Sequence, residues 1–477
     1  MTNIIIGAGP TGLSLAYTLV KNKQNVILIE QSNILGGSWN SYWIENKYFS
    51  ENSPRVLSNN GIHIDFLKEI GLQNDDFSLI YGNFFQTSIQ LLNFIYEYFT
   101  IVDYFVFMKA LIQYRTTNYF MTVQEWMDIS YLSNKAKYAL RILCITICDL
   151  PKNTNITDFV SSINPSGMDV VQMKEPNKWH QLIEFYFRTQ QGIQVYKNMK
   201  VIQVNGNSHS VTSVDCLDIF QNRITQFSGD KIFLCTQSSG IYSIIKNSNE
   251  FIQNNWGTYE QIRDWSLQTF YSGFGFQYHF KEKIKFPKNW CWSCKTEWTI
   301  IILPVGEWLT TKSKDRKVKS VWSCCIIDME TPSSRLGKTP NECSKQEIMD
   351  ECLYQLRTVY PSLPCPYKMT ISPGLRKDLD QTKWISQNTG FSRNTYGYLP
   401  MKGRLSNLFA LGCFTKNLNY SISYIKTAVE ATKLYLDTYE PDLKGFHKKS
   451  INYKLYFVIF TILIVVVSLS FYYYLNK

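Results

Sequence analysis

Apolar residues open the chain in short solid runs separated by a glycine-rich turn and an amphipathic stretch. Ile4-Ile5-Ile6 reads as a buried strand, Leu13 to Val20 as the first turns of a helix, and Val26-Ile27-Leu28-Ile29 as a second buried strand, together a βαβ unit. Farther on, helices are expected over Ile62 to Ile70, from the Thr122-Val123-Gln124-Glu125 capping box through Trp126, in "KWHQLIEFYFRT", and in "SKQEIMDECLYQLRTVYP", which Pro361 stops. Strands are expected at Ile193 to Tyr196, at Val201 to Val204 and in "KIFLCTQ". Between Thr269 and Ile327, "FYSGFGFQYHF", "WTIIILPVG" and "KSVWSCCIIDM" also read as strands, although their apolar residues alternate only in part. No internal repeat or low-complexity tract interrupts this order.

Two apolar regions raise the question of a membrane. Residues 80 to 118 are dense in Phe, Tyr, Ile and Leu but include Glu97, Asp103 and Lys109, which argues for amphipathic helices, either core or lipid-facing, rather than a span. Between Lys454 and Lys477 no residue is charged. As a helix that segment would be about 33 Å long at 1.5 Å per residue, enough for a hydrocarbon core of about 30 Å. Tyr453, Tyr456 and Tyr472 to Tyr474 fall where an aromatic belt belongs. Lys444, Lys448, Lys449 and Lys454 precede it, so residues 455–476 are expected to be a C-terminal tail anchor that leaves the folded part in the cytosol.

The turn after the first strand is Gly7-Ala8-Gly9-Pro10-Thr11-Gly12. In a strand–loop–helix setting the three glycines do different work. Gly7 turns the chain, Gly9 admits a pyrophosphate to the backbone, and Gly12 lets the helix pack closely. Pro10 and Thr11 open the helix, whose N–H groups and dipole favour an anion. Glu30 ends the second strand, where a carboxylate accepts from ribose hydroxyls and disfavours a 2′-phosphate, which argues against NADP. Gly36-Gly37 gives a second point of close backbone approach. A second complete GxGxxG is absent, since Gly273-Phe274-Gly275 lacks the third glycine. That argues against a separate nicotinamide domain.

Composition narrows the class. With 49 Lys and Arg against 38 Asp and Glu the net charge is +11, modest for 477 residues, and no arginine-rich segment interleaved with aromatics suggests nucleic acid. The 12 cysteines are scattered and the N-terminus enters a strand at once, so free thiols in a reducing compartment are expected. Cys291 and Cys294 have the spacing of a redox dithiol but lack a partner pair or nearby His for zinc; they are either that dithiol or core residues. Cys144, Cys148, Cys324 and Cys325 read as packing residues, and no metal site is expected.

The last soluble stretch, "LSNLFALGCFTKNLNYSISYIKTAVEATKLYLD", resembles the closing flavin motif of the flavin-containing amine oxidase superfamily, in which a strand ending in glycine and an acid leads by a loop into a helix. Gly412 matches the strand-end glycine, and Tyr424, Ala428, Glu430 and Ala431 match the helix, with Ile425 beside them. The opening fingerprint and Gly36-Gly37 match the family's first motif, and Val201 falls where the family presents a backbone to the adenine. The resemblance implies noncovalent FAD held by Gly7, Gly9, Pro10, Thr11, Gly12, Glu30, Gly36, Gly37, Val201, Gly412, Cys413, Tyr424 and Ile425, with the final helix directed at the flavin's pyrimidine edge and Lys426 adding to that field. Four departures stand out. Cys413 replaces the acid that holds a ribityl hydroxyl, Ser423 replaces the helix-start glycine, no arginine flanks the double glycine, and "QTFYSGFGFQYHF" offers no lysine for a water near flavin N5. Tyr396 and Tyr398 precede the final strand and either face the flavin or pack in the core.

The expected architecture is therefore α/β, a Rossmann-type FAD-binding domain interleaved with a mixed-sheet plus helical substrate domain and followed by a C-terminal transmembrane helix. FAD-binding parts fall at 1–75, 191–245 and 386–440, a helical substrate part at 76–190, a substrate sheet at 246–385, a basic linker at 441–454 and the anchor at 455–476. The expected function is that of a membrane-tethered oxidoreductase removing hydride from a C–N or C–C bond of a small substrate, with no catalytic residue identified. The alternatives are a catalytically idle flavin-binding fold serving as a membrane-anchored interaction protein, and a dithiol oxidase using Cys291 and Cys294.

Overall fold

The structure is a computed structural model that describes residues 1–59, 61–80, 97–116, 121–147, 149–163, 170–271, 274–285, 295–377, 381–386, 391–392, 398–416, 418 and 425–445. Its nucleotide-binding layer is built, in chain order, from β1 (Thr2–Ile6), α1 (Pro10–Lys21), β2 (Asn25–Ile29), α2 (Ile62–Glu69), α3 (Lys178–Thr189), β3 (Ile193–Tyr196), β4 (Lys231–Leu234), β5 (Leu408–Ala410) and α4 (Ile425–Tyr439). The five strands form one parallel sheet in the order β5-β4-β1-β2-β3. Ile4 stands opposite Ile232 on one side and Ile27 on the other.

Both faces of this sheet are covered, which is why its strands read as unbroken apolar runs. On one face Leu15, Leu19 and Leu28 pack with Trp179 and Ile183 of α3 and with Val429 and Tyr435 of α4. On the other, Ile4, Ile6 and Ile29 pack against Val201, Val204 and Val214 of an antiparallel three-stranded sheet and against Ile241 and Ile244. Residues 178–189, grouped by sequence with the helical part, thus lie on the nucleotide-binding layer.

A second body is built on the antiparallel sheet of strands Ile300–Leu303, Ser320–Ile326, Phe274–Phe280 and Lys368–Ile371. Every residue of Phe274–Phe280 is buried. The Gln277 amide donates to the carbonyl of Glu51 in the hairpin strand Tyr48–Glu51. The Tyr278 hydroxyl donates to the carbonyl of Met349 in the helix Lys345–Val359. The strand alternates, with Phe274, Phe276, Tyr278 and Phe280 in the apolar core and Gly275, Gln277 and His279 between them, and the two polar side chains are buried because each finds a partner within the fold. That helix starts with a capping box in which Ser344 accepts from the Glu347 N–H at 3.2 Å and Glu347 accepts from the Ser344 N–H at 2.8 Å.

The helical part contains Ile101–Thr116, Val123–Ile129, Asn134–Ile147 and Ile156–Ser162 around Leu111, Trp126, Leu140 and Phe159. The expected Thr122–Glu125 capping box is present, with both reciprocal bonds formed. Ile101–Thr116 buries Phe107, Ala110 and Leu111 and exposes Ile101, Val102, Phe105 and Ile112. Asp103 is buried, and its carboxylate accepts from the backbone N–H and hydroxyl of Ser133. The charge that argued against a span is therefore an internal pin between helices. Among the described residues no helix is long and apolar enough to cross a membrane. The segment 455–476, where the C-terminal transmembrane helix is expected, lies outside the described residues.

Candidate dinucleotide-binding site

The phosphate loop joins β1 to α1. Gly7 has φ 99°, and a Cβ there would stand 2.8 Å from the Cys235 carbonyl oxygen; one on Gly12 would stand 1.9 Å from the Gly7 oxygen. Both positions are closed to any larger residue. At Gly9 the outcome is opposite, for among the described residues a Cβ there would meet no atom within 4 Å beyond its chain neighbours. Open space beside a loop otherwise tightly packed is what a backbone that receives a ligand requires. Pro10 occupies the first turn of α1, Gly9 at the N-cap offers no side chain, and no acidic residue lies in that turn. The free N–H groups of the helix start are left to a bound anion. Thr11 is buried, and its carbonyl accepts from Ser14 at 3.0 Å and Thr432 at 3.3 Å, which ties α1 to α4.

Glu30 latches this loop to the end of β2. One carboxylate oxygen accepts from the Ala8 N–H at 2.8 Å and the other from the Ser32 N–H at 2.8 Å. Each oxygen keeps a lone pair for a ribose hydroxyl. The backbone of Glu30 is held as well, its N–H donating to Tyr196 at 2.8 Å and its carbonyl accepting from Met199 at 3.0 Å. This contact sets the start of the strand Met199–Gly206, and with it Val201, beside the acidic residue. The double glycine closes over the loop from the other side. Gly36 and Gly37 have φ 108° and 56°, the Gly36 N–H donates to the Ala8 carbonyl at 2.8 Å, and a Cβ on Gly37 would lie 2.8 Å from the Gly9 Cα.

Gly412 follows β5, and its N–H donates to the Thr415 hydroxyl at 3.0 Å while the Thr415 N–H returns to its carbonyl at 3.0 Å. Thr415 is fully buried and closes the turn that carries half-buried Cys413; the sequence held no signal for it beyond its place in the motif. Ile425 is buried at the start of α4, whereas Tyr424 lies outside the described residues, as do Ser423, Cys291, Cys294 and Tyr396. Lys426 lies on the α2 side of α4, its Cε 3.7 Å from where a Cβ on Gly61 would stand. Burial first, and then the Lys426 charge, push buried His63 down to about 3. Tyr398 turns its hydroxyl to Asp158 at 2.7 Å, which joins the final strand region to the helical part. Cys324 and Cys325 are buried in a strand, and burial pushes the Cys325 thiol up to about 12, so both pack as inert residues.

Sequence reasoning passed over two groups around the double glycine. Asn40 and His180 are 3% and 2% exposed, and a Cβ on Gly36 would stand 2.3 Å from Asn40 Oδ1 and 2.7 Å from His180 Cδ2. Nearby, Arg55 pairs with Glu51 at 3.0 Å, both buried, and lies over the Trp39 ring at 5.4 Å.

The family described as NAD(P)-binding Rossmann-like domain matches residues 5–70. Over 77 residues the chain is 35% identical to an L-amino acid oxidase of Cerastes cerastes, and over 76 residues 36% identical to one of Demansia vestigiata. These matches cover 16% of this chain and 15% of each relative's length. Solved structures agree over far more of the fold. An oxidoreductase from Methanosarcina mazei superposes with a TM-score of 0.63 at 13% identity over 91% of this chain and 99% of its own. Cyclohexylamine oxidase from Brevibacterium oxydans gives 0.58 at 12% over 91% and 97%, and putrescine oxidase bound to putrescine 0.60 at 11% over 92% and 99%. The phosphate loop, the latched acid, the double glycine and the closing strand–turn–helix are thus assembled on one sheet, in the fold that these solved oxidoreductases and oxidases share.

Proposed function

We propose that the protein is an FAD-dependent oxidoreductase of amine oxidase type acting on a small molecule. One observation carries the reading: the space open at Gly9 lies between the α1 N-terminus, the Glu30 latch and the double glycine, a complete cradle for the adenosine diphosphate half of a dinucleotide. Bound FAD supplies a two-electron acceptor able to take hydride from a C–N or C–C bond. The chain's own residues bind and orient. The α1 N–H groups take the pyrophosphate, Glu30 accepts from ribose, the Val201 backbone flanks the adenine, and the turn from Gly412 to Thr415 fixes where α4 begins. Within Phe274–Phe280, Gln277, Tyr278 and His279 all hydrogen-bond within the second body, so none is assigned as a base.

The fold match to oxidases supports this reading over that of an idle fold. The test is purification from cells supplied with riboflavin, followed by anaerobic mixing with primary amines, polyamines and amino acids while the flavin absorbance is followed. Noncovalent FAD, released by acid, and bleaching by one substrate class are expected. A colourless protein, or flavin that no amine or amino acid reduces, would refute it. The reading also keeps residues 455–476 as a tail anchor with the flavin domain facing the cytosol, supported by the uncharged apolar span and its lysine flank.

A further inference from the structure

His180 and Asn40 stand out among the buried polar groups of the nucleotide-binding layer. Neither ring nitrogen of His180, nor the Oδ1 of Asn40, has a hydrogen-bond partner among the described residues. A buried donor or acceptor left unmade is costly, and most are satisfied by protein, water or ligand. These two meet at one place. Both crowd the Cα of Gly36, whose neighbour Gly37 rests on Gly9 of the phosphate loop. The charged groups around them are already committed: Arg55 to Glu51, and Glu184 to Arg188 and Lys197. Trp179, the neighbour of His180, packs in the core against α1.

We infer that His180 and Asn40 are positioning residues that hydrogen-bond a hydroxyl of the ribityl chain of bound FAD, an inference that rests on the function proposed above. The chemistry selects a hydroxyl over a phosphate. A neutral imidazole offers one donor and one acceptor and Asn40 Oδ1 offers an acceptor, whereas a phosphate oxygen only accepts. Burial pushes His180 down to about 4, a shift that Arg55 and Lys197 reinforce and Glu184 opposes, so the ring is neutral near pH 7. The thiol of Cys413 is a weak acceptor where the superfamily pattern has an acid for that hydroxyl, and His180 with Asn40 supplies the acceptor from another part of the chain.

The test titrates full-length apoprotein with FAD and, separately, with ADP, which lacks the ribityl chain. His180→Phe is expected to weaken FAD binding about tenfold while changing ADP affinity less than twofold. His180→Gln, which restores a donor and an acceptor, should recover most of the loss, and Asn40→Ala should shift FAD affinity in the same direction without shifting ADP. Unchanged FAD affinity in both His180→Gln and Asn40→Ala, together with unchanged affinity in His180→Phe, overturns the inference while leaving FAD binding intact. A parallel loss of FAD and ADP affinity also overturns it, placing the contact on the adenosine half or in packing. Wild-type protein that binds neither ligand overturns both the inference and the proposed function.

Discussion

Glu30 commits both carboxylate oxygens to backbone N–H groups, so its side chain is structural before it meets a ligand. Glu30→Ala therefore removes the proposed ribose contact and also unlatches Ala8 from Ser32. Charge-assisted bonds of this kind are worth roughly 1.5 to 3 kcal/mol each. FAD affinity, read by titration of apoprotein, should fall about tenfold or more, and unchanged affinity would refute the ribose assignment. Arg55 poses the opposite case, a charge that answers another buried charge. Burial raises the pKa of the Glu51 carboxyl above its ordinary 4.5, with Arg55 and Ser323 opposing. Removing the guanidinium in Arg55→Met leaves Glu51 uncompensated, at a cost of about 3 to 5 kcal/mol. A carboxyl with a raised folded pKa contributes stability that is present in full below its unfolded value and lost as pH rises through the folded one. The melting deficit of Arg55→Met against wild type should thus be larger at pH 8 than at pH 5; an equal deficit would show that Glu51 does not carry it.

Between elements, the junction of β1 with α1 separates folding from binding within three residues. A Cβ on Gly12 would meet the Gly7 oxygen at 1.9 Å, so Gly12→Ala must push α1 off its strand. Among the described residues a Cβ on Gly9 meets no atom within 4 Å beyond its chain neighbours and enters the space that the proposed pyrophosphate site would use. Gly9→Ala should leave the melting temperature of the apoprotein near wild type and abolish flavin retention. Gly12→Ala should lower both. If Gly9→Ala retains flavin at wild-type stoichiometry, the open space beside Gly9 is not the binding site.

In the whole molecule, the chain returns to the nucleotide-binding sheet after each excursion, and α4 closes it last. Lys444 is fastened to the end of α1 by reciprocal bonds with Asn22 of 3.0 and 2.9 Å. Deletion of everything after Lys454 cuts beyond that attachment. The truncated protein should remain folded and yellow and should leave the membrane fraction. Persistence in membranes after a high-salt wash would instead assign attachment to another surface, and Ile101, Val102, Phe105 and Ile112 on Ile101–Thr116 are the exposed apolar candidates.

Local chemistry made the opening βαβ unit legible from sequence: Ile4 to Ile6, the three loop glycines, Val26 to Ile29 and Glu30 are adjacent in the chain, and each acts on its near neighbours. The capping box at Thr122 was legible for the same reason. Where partners are distant, the pattern was silent or ambiguous. Strand Phe274–Phe280 alternates aromatic residues with Gly275, Gln277 and His279, yet the burial of both its faces followed only from the hairpin and the helix packed against it. Tyr398 found Asp158 rather than a fixed place in the flavin motif, and Lys426 came to lie on the side of α2. The meeting of Asn40 with His180 around Gly36 had no sequence signal at all. It exists because α3 packs on α1, and only the tertiary structure could decide that two polar side chains so far apart in the chain would be buried together with polar atoms that have no partner among the described residues.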